Sequence, residues 1–345
     1  MKARRRSIAI FLSSAVLAAA ACGGGGDQPD VAVPAADRGA PVLDALQLLP
    51  DVEPLHRQVL FGDPGRLREV YGDAAELNDA LAGLWPPDAL AGAVRPVWGR
   101  SYGFRLASVD SYVAAGFHPE TAAVLVGRFK PAEVRAALRS SGYRRRGRLF
   151  VRGKDGSVDS DSRVGRLALS SLDRVAVRRQ RIVAASSTAL ARATLSPDPS
   201  LAADPDLSTA ARAIGPVTAA VIFPAELLRP ATGVLVVPVA EEAPKVVAVG
   251  IDDRGASDRV FKAALVYGSA EEAERVSEGL AKAFGEAEVP TRTDERFSDL
   301  FEELEADVVA GRAVLLQGRI ADFELAGIWR ALLETGDLAV LVPAR

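Results

Sequence analysis

His56 and His118 are the only imidazoles in the chain. A Ser–His–Asp relay or a histidine general base would have to recruit one of them. His118 stands between Phe117 and Pro119, with Asp110 and Glu120 close in sequence. That setting suits a general base or a loop or cap histidine, and the loop reading is the expectation. His56, next to Arg57 and close to Pro54, is read the same way. Adjacent carboxylates occur at Asp252-Asp253, Glu271-Glu272 and Glu302-Glu303. Two acids can cleave a glycosidic bond when they face each other across a sugar cleft. Such a cleft wants stacking aromatics, and Phe, Trp and Tyr make up only 6% of this chain. Glu271-Glu272 fits the first turn of a helix instead, and Glu302-Glu303 a solvated helix face. Gly-x-Ser-x-Gly, Ser-x-x-Lys, His-Glu-x-x-His, Walker and Gly-x-Gly-x-x-Gly patterns are absent. The lone cysteine, Cys22, excludes a disulfide framework, a Cys-based zinc site and an iron–sulfur cluster. No cofactor and no metal are expected.

Charge is distributed unevenly. Residues 128–181 hold 16 Lys or Arg against 5 Asp or Glu, whereas residues 241–310 hold 8 against 18. In Tyr143–Arg152, read as one strand, Arg146, Arg148 and Arg152 share a parity, and Arg174 and Arg178 extend the set from a neighbouring strand. These five arginines are the candidate anion- or membrane-facing patch, since guanidinium forks suit phosphate and carboxylate oxygens. The alternative is a solvated sheet face, or a surface paired with the acidic block. Phe284, Phe297, Phe301, Phe323 and Trp329 could line an acyl cavity, but residues of this kind more often form core.

The elements that must position these groups belong to an ordinary globular chain of 345 residues, 49% hydrophobic and 25% charged. Pro64–Leu84 has helical spacing and is stopped by Pro86-Pro87. Ala122–Phe129 reads as a strand leading into a proline-started helix, Pro131–Ser141. Further strands are expected at Arg166–Leu172 and Val175–Ser186, with turns near Ser171–Asp173 and Arg178–Gln180, and at Val217–Phe223 and Arg312–Ile320, with a hairpin from Lys245–Asp252 to Asp258–Tyr267. Ser187 and Ser269 are placed to cap helices ending at Leu195 and Phe284. Pro205–Ile214 and Phe323–Leu333 are further helices. The sequence of Ala122–Ser141 is echoed in kind by Asp258–Phe284. The expected fold is α+β, two lobes of mainly antiparallel sheet packed with helices, at residues 43–215 and 216–345.

Location is read from the first residues. Lys2 and Arg4-Arg5-Arg6 precede an apolar run from Ile8 to Ala21, too short for a comfortable membrane span. The run ends in Ala19-Ala20-Ala21-Cys22, followed by four glycines. This resembles the lipobox of bacterial lipoproteins, although Ala19 stands where Leu is commoner. The resemblance implies a signal peptide over residues 1–21 and a diacylglycerol-type lipid, palmitate among its chains, on Cys22. Residues 22–42 then read as a flexible tether. The arginines also admit a twin-arginine signal, but the residues after them fit it poorly.

Several stretches resemble a poorly characterised family of bacterial cell-envelope lipoproteins. They are Phe117–Tyr143, Val183-Ala184-Ala185-Ser186-Ser187, Ser200–Pro205 and Ala263–Tyr267. The resemblance spans about residues 45–340 and implies fold and location at the extracytoplasmic face of the membrane; it brings no catalytic residues. The expectation is a non-enzymatic, lipid-anchored envelope protein that binds or scaffolds. The alternatives are a carrier of an anionic or lipidic small molecule and, third, an unrecognised hydrolase. Expected partners are the membrane through the lipid and anionic lipid or wall polymer; nucleic acid is not expected. Removing the four leader cations takes the net charge of −3 to about −7 in the mature chain.

Overall fold

The computed structural model describes residues 39–343 apart from 75, 94, 156, 158–160, 163, 169, 230–237, 241, 293 and 323–326. Cys22, the signal peptide and nearly all of the expected tether lie outside the described residues, as does Phe323.

The chain opens with α1 (Pro41–Leu46), β1 (Val59–Gly62), α2 (Pro64–Tyr71), α3 (Glu76–Ala82) and α4 (Pro96–Tyr102). There follow β2 (Val109–Ala115), β3 (Ala122–Gly127), α5 (Pro131–Ser140), β4 (Arg144–Arg146), β5 (Leu149–Val151), α6 (Gly165–Ala168), β6 (Arg174–Val177) and β7 (Arg181–Ala185). Then come α7 (Thr188–Leu195), α8 (Pro205–Ile214), β8 (Ala219–Pro224), β9 (Val246–Gly255) and β10 (Asp258–Val266). The chain ends with α9 (Ala270–Glu286), α10 (Phe297–Leu300), β11 (Phe301–Val309), β12 (Ala313–Ile320) and α11 (Ile328–Glu334).

Among the described residues, twelve strands form one antiparallel sheet in the order β11-β12-β10-β9-β8-β1-β2-β3-β7-β6-β5-β4. The α+β expectation is met. The segments expected as two lobes share this sheet, because β1 of the first pairs with β8 of the second, Leu60 opposite Val221. The halves trace the same path outward from that pair: β1-β2-β3-β7-β6 on one side, β8-β9-β10-β12-β11 on the other. In each, the third strand runs into a helix that packs on the sheet, α5 after β3 and α9 after β10. The echo between Ala122–Ser141 and Asp258–Phe284 falls on these corresponding elements. The first half adds β5 and β4 beyond β6.

Strand alternation divides the core between the two faces. Val59 and Phe61 join a cluster under α1, α7 and α8. On the opposite face the cover is split. Leu60 belongs to a cluster under α2, α3 and α9 to α11, whereas Ala114 and Ala123 belong to a separate one under α4, α5 and α6.

Local signals explain most elements. Ser187 Oγ accepts from Leu190 N–H, and Ser269 Oγ from Glu272 N–H, as N-caps should. Four expectations are corrected. Pro64–Leu84 is two helices, with Gly72 ending the first at φ 56°. Tyr143–Arg152 is not one strand but the β4–β5 hairpin, turned at Gly147 with φ 60°, a region that glycine favours. Arg166–Leu172 begins within α6 rather than in a strand. Glu302 and Glu303 sit on edge strand β11, not on a helix.

Candidate anion-binding surface

The five candidate arginines do not form one face. Arg174 is only 2% exposed, and its guanidinium binds Asp155 at 2.5 Å, Thr188 Oγ1 at 3.0 Å and the Arg152 carbonyl at 2.6 Å. Arg152 binds Asp173 at 2.9 Å and Ser162 Oγ at 3.0 Å, and lies over the Tyr143 ring. Arg178 is half-buried in the β6–β7 turn, where its N–H donates to the Arg181 carbonyl. Of the five, only Arg146 and Arg148 are exposed, on the β4–β5 hairpin. Strand parity failed here for a physical reason: the turn at Gly147 breaks the periodicity between Arg146 and Arg152.

The buried Arg174 makes its half-exposed partner Asp155 a structural group. Burial works against its charged form, yet bonds from Thr188 N–H and hydroxyl, with the Arg174 charge, outweigh it and hold the carboxyl below its ordinary value. Stability from this group is therefore complete above about pH 4 and is lost as pH falls through the lowered value. Asp155→Asn should be less stable than the parent protein at neutral pH, and urea midpoints should show the gap closing in acid. A gap that stays constant down to acid pH would remove Asp155 from this role.

The surface that does gather cations lies beside the expected one. Between residues 128 and 148 the chain carries Arg128, Lys130, Arg135, Arg139, Arg144, Arg145, Arg146 and Arg148 against the single acid Glu133, and all eight cations are exposed. The stretch runs from the end of β3 through α5 to the sheet edge at β4. Next to it, α4 and α5 flank an open groove of about 630 Å³ lined by Arg100, Arg105, Arg128 and Lys130. The helices come close because Gly103 ends α4 at φ 75°, where a Cβ would meet Val134 Cα at 2.6 Å. Phe104 and Phe129 pack edge-to-face beneath it, 5.5 Å between ring centroids. Lys130 pairs with Glu133 at 3.0 Å, and Arg128 reaches Asp110 at 3.7 Å. Arg100 and Arg105 enter no ion pair among the described residues. The arrangement is an exposed basic sheet edge joined to an open basic groove, able to hold several anionic oxygens at once.

The other candidates are engaged elsewhere. His56 Nε2 lies 2.5 Å from Asp51 and Nδ1 3.3 Å from Asp204, whose other oxygen caps α8. His118 Nδ1 is 3.2 Å from Ser170 Oγ. Asp252 is ringed by Arg66, Arg254 and Lys262, and Asp253 by Tyr71 and Arg259. Glu271 and Glu272 occupy the first turn of α9, and Glu302 pairs with Arg319. Phe284, Phe297, Phe301 and Trp329 are buried in the core, and the three Phe rings stack at 4.2 and 6.2 Å. Among the described residues, no cluster of His, Cys, Asp or Glu is placed to hold a metal ion. Among them also, no helix is long and apolar enough to cross a membrane.

No protein-family model and no curated protein matches the chain. Two solved structures of a protein named TP0453, crystal forms I and III, align with a TM-score of 0.42 each. They are 9% and 8% identical, over 84% and 83% of this chain and 97% of that one.

Proposed function

We propose that this chain is a non-enzymatic exported protein, held at the extracytoplasmic face of a bacterial membrane by a lipid on Cys22, whose folded part binds anionic headgroups. The observation that carries the binding role is the run of eight exposed cations against one acid from Arg128 to Arg148, continued into the groove by Arg100 and Arg105. Anchoring rests on the lipobox around Cys22. The two parts reinforce each other. A tethered domain meets the bilayer at high effective concentration, where each surface cation gains about 1 kcal/mol from anionic lipid.

The expected result is that the full chain partitions into detergent and carries a lipid label, and that Cys22→Ser does neither. Freed of the anchor, Cys22→Ser should still sediment with vesicles of mixed phosphatidylcholine and phosphatidylglycerol, less so as salt rises, and not with phosphatidylcholine alone. A labelled Cys22→Ser protein would end the anchoring claim. Equal binding to the neutral vesicles would end the headgroup claim, and preference for soluble wall polymer over vesicles would move it to that polymer.

A further inference from the structure

The split helical cover leaves a gap at the centre of the sheet. Leu60, Ala114 and Ala123 lie side by side across β1, β2 and β3, Leu60 opposite Ala114 and Ala114 opposite Ala123. Two of the three are alanines, so the floor is low where the two helical clusters part. Above it is a cavity of about 240 Å³, walled by Trp85 with Pro86 and Pro87 and, at the β2–β3 turn, by Phe117. Phe117 is 37% exposed, high for its size.

The walls are held by contacts to their neighbours. Tyr112 O–H donates to the Trp85 carbonyl at 2.9 Å, and the Trp85 ring lies 6.2 Å from that of Trp329. The polar side is tied down by the His118–Ser170 contact and by Thr121 Oγ1 donating to Ser171 Oγ at 3.2 Å. One lining residue carries a full charge: Asp88 is exposed and enters no ion pair among the described residues. Arg57 stacks on Phe117 at 5.4 Å without lining the cavity.

From this geometry we infer a binding site for a small primary amine bearing a ring or short hydrocarbon tail, distinct from the basic surface. The tail sits on the alanine floor beside Trp85, and its ammonium meets the Asp88 carboxylate. Size agrees: a cavity of about 150 Å³ takes benzene, so this one accommodates about ten heavy atoms. The apolar floor supplies the affinity through buried area, and the unpaired carboxylate selects the sign of the charge.

The test uses 2-phenylethylamine, with phenylacetate as its counterpart of similar shape and opposite charge, titrated into the whole protein by calorimetry. Saturable binding of the amine is expected, with phenylacetate at least about tenfold weaker. Asp88→Asn, at an exposed position, should keep the parent melting temperature and weaken the amine about fivefold. Ala114→Leu fills the floor and should abolish binding of both probes. If Ala114→Leu fails to fold, the Asp88→Asn variant and the phenylacetate comparison still decide the matter. Absence of saturable binding, equal affinity for phenylacetate, or an unchanged affinity in Asp88→Asn would each overturn the inference.

Discussion

Replacing Arg144, Arg145, Arg146 and Arg148 together by Gln should lower the affinity of the Cys22→Ser protein for mixed phosphatidylcholine and phosphatidylglycerol vesicles about a thousandfold. Each cation near an anionic bilayer contributes about 1 kcal/mol, so the four remove about 4 kcal/mol, at tenfold per 1.4 kcal/mol. The fold should be spared. All four side chains are exposed, β4 is an edge strand, and the turn keeps its Gly147. Arginines on an edge strand also discourage pairing with other chains, so the Gln variant needs a check that it stays monodisperse. Arg174→Gln makes the opposite control. It removes a buried guanidinium and its pair with the half-exposed Asp155, and should cost stability while leaving vesicle binding at temperatures below melting unchanged. A quadruple variant that binds within about threefold of its parent would sink the assignment of this edge as the membrane-facing surface.

What the sequence made legible follows from where the periodicity lives. The β9–β10 hairpin and the capped helices α7 and α9 carry their signals within a few residues, and their types follow from them. β1 gives no sequence signal: its four residues are all buried, as in a strand at the centre of a sheet, and show no alternation. β11 departs from the helical expectation for the converse reason. As an edge strand it exposes acids on both parities, so Glu302 and Glu303 lack the period-two pattern of a half-buried strand. At the site, the basic block was plain in the composition, but its inward and outward arginines were not separable. Arg152 and Arg174 are drawn inside by Asp173 and Asp155, partners that only the folded chain brings near. A usable signal was present in the acids: they thin out to Glu133 alone between residues 128 and 148 and return with Asp155 and Asp173. The cavity was not legible, because it depends on which helices stop short of β1 to β3.

The largest loss of stability should come from Asp253→Ala, at about 3–5 kcal/mol in urea denaturation. Asp253 is 3% exposed and Arg259 2%. Arg259 Nε donates to one carboxylate oxygen at 3.0 Å, and Tyr71 O–H to the other at 2.5 Å. A further Arg259 nitrogen donates to Tyr71 Oη at 3.0 Å, which closes the ring of contacts. Removing the carboxylate takes from the buried Arg259 guanidinium the anion that its Nε binds at 3.0 Å, and the loss of that contact inside the core is what costs. Taking out both charges with Asp253→Leu and Arg259→Met should recover most of the loss, since apolar groups of similar size replace a buried pair at little cost. Tyr71 adds a pH signature. Burial, then the bond to Asp253, pushes its phenol up to about 12. The unfolded chain loses that proton near pH 10, so stability present below that pH is lost as pH rises through the folded value, and Tyr71→Phe should blunt the alkaline decline. Tyr71 belongs to α2 and Asp253 to β9, so the cluster fastens the first half of the chain onto the second. The basic edge is on β4, at the far end of the sheet from β11. Asp253→Ala should therefore melt earlier yet bind vesicles like its parent while folded. A loss under about 1 kcal/mol would mean that water already reaches the pair, and a loss of vesicle binding below the melting point would mean that the two ends of the sheet are coupled.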